Sequence, residues 1–355
     1  MHDALRDLGW DDTWAAALAD RGSDAGQPAR VTAQQRDRWT IQAASGPRAA
    51  RLTHATARPR PVTGDWVVVE PGPTETDPWG ILGVLPRRTA LARGAAGEGH
   101  EAQVLAANID RLWVVQALDR APNLRSLERY LAVAWESGAA PEVILTKSDL
   151  AEDLEAMLGS VRDVALGVPI HSVSIQDEEA IRQLRDSLAL GETIALVGPS
   201  GVGKSTLINH LAEQNLTETG GVRAGDRKGR HTTTTRQLYP IHGGALLLDT
   251  PGMREFKVLD LDQGLEHTFP EIDGLSAACR FRDCSHTAEP GCAVVDAAEH
   301  GRLDPGRLAS YRKLRAEAEY ERRKRDPVAQ AEYVAEWKTA MRTLKYHPKH
   351  RDRKS

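Results

Sequence analysis

The run Gly198-Pro199-Ser200-Gly201-Val202-Gly203-Lys204-Ser205-Thr206 constrains this chain more than any other stretch. An apolar segment, Thr193-Ile194-Ala195-Leu196-Val197, precedes it and reads as a buried strand. Leu207-Ile208-Asn209-His210-Leu211 follows and reads as the start of a helix. Strand, glycine-rich loop, Lys-Ser and helix, at the spacing G-x-x-x-x-G-K-S, form a phosphate-binding P-loop. Gly198, Gly201 and Gly203 let the backbone adopt conformations closed to other residues, so successive N–H groups can converge on one anion. The helix N-terminus adds unpaired N–H groups and the positive end of its dipole. Lys204 is placed to reach the β- and γ-phosphates, and the Ser205 hydroxyl to hold Mg²⁺. The bland alternative is a glycine-rich turn with a chance Lys-Ser; the flanking strand and helix argue against it.

The chain has 355 residues, a length prior of two or three domains. Its net charge of −4 makes it no polycation, so any nucleic-acid contact must come from local patches. The N-terminus lacks the apolar core of a signal peptide, and no run approaches the ~18 apolar residues of a membrane span. A cytoplasmic protein is expected. All three cysteines fall between 279 and 292, which points to metal rather than disulfides.

Residues 1–27 read as an N-terminal extension: an amphipathic stretch around Leu8, Trp10, Trp14 and Leu18, then a linker-like end. Residues 28–100 carry five short strand-like runs, at 29–33, 38–42, 48–52, 65–69 and 80–85. Five strands punctuated by Gly and Pro fit a small barrel of the OB type. Seven arginines against one acid, Asp37, lie between 28 and 60, consistent with an RNA-binding face or with a solvated surface. Residues 90–103 read as a flexible connection.

From 101 to 262 strands alternate with helical patterns, as in a parallel sheet covered on both faces. Strands are expected at 112–117, 143–146, 169–171, 193–197 and 245–248, with helices at 124–134, 150–158 and 180–190. Thr146-Lys147-Ser148-Asp149 resembles the N/T-K-x-D base-recognition motif of GTPases, in which the Asp carboxylate reads guanine and the Lys stem packs on the ring. The commoner Asn at the first position, which ties this loop to the P-loop, is Thr146 here. Ser172 in Ser172-Val173-Ser174 sits where a backbone N–H would meet guanine O6. The polar run 220–236, with Gly229-Arg230-His231-Thr232-Thr233-Thr234-Thr235, suits a switch I loop in which Thr233 or Thr234 closes on Mg²⁺ and the γ-phosphate. Asp249-Thr250-Pro251-Gly252 ends an apolar strand in D-x-x-G, the switch II signature, with Asp249 toward Mg²⁺ and the Gly252 N–H sensing the γ-phosphate. In ordinary GTPases base recognition follows the switches; here it comes first, the order of a circular permutation.

Residues 263–355 contain Cys279-x4-Cys284-x-His286-x5-Cys292, the ligand set of one closed, structural Cys₃His zinc site. Beyond Pro305 the chain is helical and charged, with fourteen Lys/Arg against seven Asp/Glu over 312–355, a basic tail or a solvated helix.

Taken together, these residues resemble the RsgA (YjeQ) family of circularly permuted small ribosomal subunit GTPases. The likeness rests on Gly64-Asp65-Trp66, Leu85-Pro86-Arg87-Arg88, Ala107-Asn108-Ile109-Asp110, the P-loop, Gly229–Thr234, Asp249–Gly252 and Cys279–His286. It implies a multidomain protein: an OB-fold barrel, a permuted α/β GTPase domain and a small helical zinc-binding domain. It also implies binding to the maturing 30S subunit and its 16S rRNA, with GTP hydrolysis to GDP stimulated by the subunit. A monomer is expected, with GTP/GDP, Mg²⁺ and zinc as ligands and no membrane partner. Met253 follows the D-x-x-G glycine, where many GTPases carry a water-orienting Gln, so slow intrinsic turnover is expected and His231 is the nearest replacement. Two rival readings are a P-loop ATPase or kinase, and an RNA-binding scaffold that holds nucleotide without turning it over.

Overall fold

The computed structural model describes residues 3–22, 26–54, 58–93, 103–213, 236–241, 243–249, 261–326, 328–331 and 335. A 3₁₀ turn (Asp3–Leu8) and helix α1 (Asp12–Ala19) open the chain. Five strands follow: β1 (Gln27–Gln35), β2 (Arg38–Ala43), β3 (Gly46–Leu52), β4 (Trp66–Glu70) and β5 (Trp79–Val84). They pair in the order β1-β2-β3-β5-β4, and β4 returns to β1, so the barrel closes. Closure leaves no free edge within the barrel.

The period-2 alternation of β4 explains its two environments. Val67 and Val69 point into the barrel core with Val31, Ile41 and Ile81. Trp66 and Val68 point outward and meet Leu5, Trp10, Trp14 and Leu85. Trp10 packs edge-on against Trp66 at 4.8 Å between ring centroids. Asp11 caps α1, accepting from the N–H groups of Thr13 (3.0 Å) and Trp14 (3.1 Å). Residues 3–22 are thus a packed cover for the outer face of β4, and each large side chain they bury contributes about 1.5–3 kcal/mol.

Strands β6 (Ala90–Arg93) and β7 (Gln103–Ala107) pair in a two-stranded sheet. The expected flexible connection at 90–103 is therefore strand at both of its ends. The nucleotide sheet follows: β8 (Arg111–Ala117), α2 (Leu124–Glu136), β9 (Ala140–Thr146), α3 (Leu154–Arg162), β10 (Ile170–Ser172), α4 (Glu178–Asp186), β11 (Thr193–Val197), α5 (Lys204–Ala212), β12 (Arg236–Pro240) and β13 (Leu246–Asp249). Its order is β10-β9-β8-β11-β13-β12, parallel except for β12. Helix α3 starts four residues later than its apolar pattern indicates, because Ser148–Leu150 forms a separate 3₁₀ turn and Asp153 caps the helix proper. Strand β12, not anticipated from its sequence, pairs on its other side with β1 through Ala33–Gln237 and Gln34–Arg236. Barrel and nucleotide sheet thereby become one eleven-stranded sheet within one compact unit.

Arg30 sits at that junction, only 2% exposed. Its guanidinium donates to the Thr193 hydroxyl (2.7 Å), to the Asn108 carbonyl (3.2 Å), and to the carbonyls of Leu8 and Gly64. Burial pulls its pKa down to about 10. Asp110 completes the clamp: its carboxylate accepts from the Thr193 N–H at 2.7 Å, and its own N–H donates to the Thr193 carbonyl at 2.8 Å. Thr193 is the first residue of the P-loop strand, so three elements fix the root of that strand. Arg30 therefore leaves the basic face to which its charge assigned it; the six other arginines of 28–60 are exposed.

A second compact unit comprises residues 93–103, 257–265 and 269–355. Helix α6 (Asp262–Thr268) leads to α7 (Pro270–Ser276), α8 (Ala293–Glu299) and the long α9 (Pro305–Arg325), capped by Asp304. Phe269, fully buried, meets Tyr311 of α9 edge-on at 5.6 Å.

Candidate nucleotide site and metal centre

Parallel strands align their C-terminal ends, and ligands bind along that edge of an open α/β sheet. Here the edge collects Asp119 after β8, Thr146–Asp149 after β9, Ser172–Ser174 after β10, the P-loop after β11 and Asp249 at the end of β13. Residues far apart in sequence become neighbours because the strands are in register, as in Gln116 with Leu145 and Leu145 with Ser172.

The P-loop needs its glycines for stated reasons. Gly198 has φ +145°, and a Cβ there would lie 2.3 Å from the Val115 carbonyl oxygen. Gly201 and Gly203 have φ +81° and +93°. Gly203 caps α5, whose first residue is Lys204. The Lys204 ammonium donates to the carbonyls of Gly198 (2.7 Å) and Pro199 (2.6 Å), arching over the loop it serves. Ser205 and Thr206 lie in the first turn of α5, Ser200 is exposed at the loop tip, and Val202 is buried beneath it. The β11–β13 register, Ala195 with Leu248, sets Asp249 level with Leu196 at the same edge.

Thr146 does the tying for which the motif usually employs Asn. Its buried hydroxyl donates to the Val202 carbonyl at 2.5 Å, linking the base loop directly to the P-loop. Lys147, with φ +58°, turns the chain; its ammonium pairs with Asp119 at 2.5 Å. That hydrogen bond holds the Asp119 carboxyl below its ordinary pKa. Asp149 lies in the 3₁₀ turn that Ser148 begins, and accepts from the Ser174 hydroxyl at 2.5 Å. Ser174, 4% exposed, also accepts from the Gln176 N–H at 3.1 Å.

Ser174 is the serine whose hydroxyl reaches the Asp149 carboxylate. Ser172 ends β10 two residues earlier, its hydroxyl buried without a hydrogen-bond partner among the described residues. Sequence reasoning passed over Ser174 and Asp119; the usable signal was that each lies just past the C-terminal end of a strand. His231, Thr233, Thr234, Gly252 and Met253 lie outside the described residues.

On the second unit, Cys279, Cys284, His286 and Cys292 bring one ligand atom each to within 4.8 Å of one another. Cys279 Sγ and Cys292 Sγ are 3.9 Å apart, and each is 3.6 Å from His286 Nδ1. A tetrahedral ion with bonds of about 2.3 Å has edges of about 3.8 Å, so the four groups fit a metal ion. Burial pushes the Cys284 thiol up to about 11; at Cys279 burial also pushes upward, but N–H groups of Val294 and Ala293 together with hydrogen bonds to Cys292 and Cys284 hold the thiol below the ordinary value. Burial lowers the His286 pKa, which favours the neutral, ligating imidazole. From α9, Arg312 Nε donates to the His286 carbonyl (2.6 Å) and Arg315 to the Cys284 carbonyl (3.4 Å), pinning the ligand loops.

The fold and the edge cluster define a P-loop nucleotide-binding protein, with Thr146–Asp149 joined to the P-loop at the sheet edge. The sequence profile of the RsgA GTPase family matches residues 84–259. The chain is 43% identical to the small ribosomal subunit biogenesis GTPase RsgA of Opitutus terrae, over 94% of this chain and 95% of that one. It is also 43% identical to the RsgA of Streptomyces coelicolor, over 95% of this chain and 93% of that one. Among solved structures, YjeQ from Thermotoga maritima superposes with a TM-score of 0.60 at 24% identity, covering 82% of this chain and 98% of that one. YloQ, described as a circularly permuted GTPase, gives 0.59 at 21% identity, covering 84% and 97%; these two likenesses speak to the fold. The chain belongs to the RsgA GTPase family and is a GTP hydrolase of the ribosome-biogenesis class.

Proposed function

We propose that the chain binds the small (30S) ribosomal subunit through its 16S rRNA, hydrolyses GTP to GDP and phosphate when the subunit stimulates it, and assists late maturation of that subunit. The observation that carries this reading is the base loop: Thr146 tied to the P-loop, and Asp149 aligned by Ser174. The relatives' names supply the small subunit. The barrel supplies a surface for RNA, with Arg48 lying 5.9 Å from the Trp79 ring and Arg60 lying 6.0 Å from the Trp39 ring. Residues 28–100 serve as the RNA-binding domain, 101–262 as the GTPase domain, and 263–355 as the zinc-binding domain with its basic tail; within the 1–27 extension, residues 3–22 brace the barrel.

In this reading Gly198–Thr206 cradle the phosphates, with Lys204 neutralising charge on the β- and γ-phosphates. Lys147 flanks the guanine ring, and Asp149 accepts its N1–H and N2–H₂. The Ser172–Ser174 segment closes the O6 side. Ser205 and Asp249 hold Mg²⁺, which offsets developing phosphate charge when bound. Thr233 or Thr234 and Gly252 close on the γ-phosphate, and His231 orients the water that Met253 cannot. Three thiolates and an imidazole favour zinc as the structural ion. The protein acts as a cytoplasmic monomer; no helix among the described residues is long and apolar enough to cross a membrane.

The test is nucleotide competition with labelled GTP, followed by turnover with purified small subunits. GTP displaced by GDP and not by ATP, with subunit-stimulated release of phosphate, supports the reading. ATP competition at equal concentration contradicts it, and binding without turnover favours the scaffold alternative.

A further inference from the structure

The loop between the first two cysteines of the metal cluster carries Arg280-Phe281-Arg282 at its tip, and all three residues are exposed. Phe281 leaves 41% of its surface in solvent, whereas Phe269 of the same unit is fully buried. The loop is held firmly. Cys279 and Cys284 anchor its two ends in the ligand cluster, and Arg315 donates to the Cys284 carbonyl. Its Arg280 N–H donates to the Gly291 carbonyl at 3.1 Å. The Arg280 stem runs against Gly291, where a Cβ would come within 3.2 Å of it, and the guanidinium lies over the Phe281 ring at 5.5 Å. A lone exposed ring is ordinary; this one stands out because a cation lies on either side of it in sequence and one guanidinium sits over its face.

We propose that Phe281 is a nucleobase-stacking platform, that Arg280 and Arg282 meet the flanking phosphates, and that the partner is an unpaired base of ribosomal RNA. The proposal rests on the small-subunit reading above. Unpaired bases stack on aromatic side chains and on guanidinium planes, and their phosphates attract arginine. The same patch is a poor fit to an apolar protein pocket, since burying two guanidiniums beside the ring carries a desolvation cost. A short loop anchored at both ends also has little backbone freedom left to lose on binding.

The experiment measures binding of the full-length protein, loaded with a non-hydrolysable GTP analogue, to purified small subunits. Phe281→Ala, Phe281→Leu and Phe281→Trp are compared, each checked for one metal ion per chain so that misfolding is recognised. Stacking calls for Ala and Leu both to weaken binding about tenfold while Trp retains it. Arg282→Gln should make the salt dependence shallower by about 0.7–0.9 unit, one phosphate contact. Leu binding as well as the native chain marks an apolar protein contact and overturns the proposal, as does equal binding by all variants. Failure of the native chain itself to bind small subunits removes the underlying reading along with it.

Discussion

Thr146→Val removes one hydroxyl and leaves volume unchanged, which makes it a sharp probe of how the base loop is built. The lost hydrogen bond is the 2.5 Å contact from Thr146 to the Val202 carbonyl. Thr146 is 6% exposed, so water cannot readily replace the donor. Leaving a buried carbonyl without its donor costs about 1–3 kcal/mol. A valine methyl group also meets that oxygen in place of a hydroxyl, so the change is not conservative. Val202 belongs to the P-loop and Thr146 to the base loop, so the loss falls on the geometry that joins phosphate and base recognition. We expect the GDP dissociation constant to rise about tenfold, equivalent to about 1.4 kcal/mol, as read by calorimetric titration. Thr146→Ser keeps the hydroxyl and should stay within about threefold of the native affinity, since it loses no donor. Native GDP affinity in the Val variant would refute the claim that Thr146 takes over the tying role of the usual Asn.

Other perturbations follow from the same geometry. Asp149→Asn should shift preference from GTP to xanthosine triphosphate, and an unchanged preference in competition assays contradicts the base-reading role. Gly198→Ala places a methyl group 2.3 Å from the Val115 carbonyl oxygen at φ +145°, so nucleotide binding should fall below detection in a chain that still folds. Arg30→Met strands several buried carbonyls and should lower the melting temperature more than Arg48→Met, which belongs to the exposed set. Equal melting temperatures in the two variants would count against the buried junction. Chelation should unfold the second unit, seen as lost helical signal with release of one metal ion, and a chelator-resistant signal contradicts a structural metal.

Much of this architecture is legible in the sequence because its signals are local. All five barrel strands, and β8, β9, β11 and β13, follow from short apolar runs bounded by Gly, Pro and Asp. The P-loop and the cysteine spacing carry their chemistry within a few residues. What the sequence hides is set by distant partners. Arg30 reads as surface charge, yet four acceptors from Leu8, Gly64, Asn108 and Thr193 bury it. Residues 1–27 read as an extension because the apolar face that 3–22 cover, Trp66 and Val68, alternates with core residues on β4. The motif position singles out Ser172, and only the turn after β10 brings the Ser174 hydroxyl to Asp149. Strand β12 pairs with nearby β13 and, through two further residue pairs, with β1, some two hundred residues away in sequence.

In the proposed function the barrel, the nucleotide sheet and the metal unit serve one activity, GTP turnover governed by the small ribosomal subunit. The most direct test measures phosphate release from GTP by the full-length protein, alone and with purified small subunits. Slow turnover alone, a large rise with small subunits and no rise with large subunits are expected. Turnover that is the same with and without small subunits would contradict the proposed function.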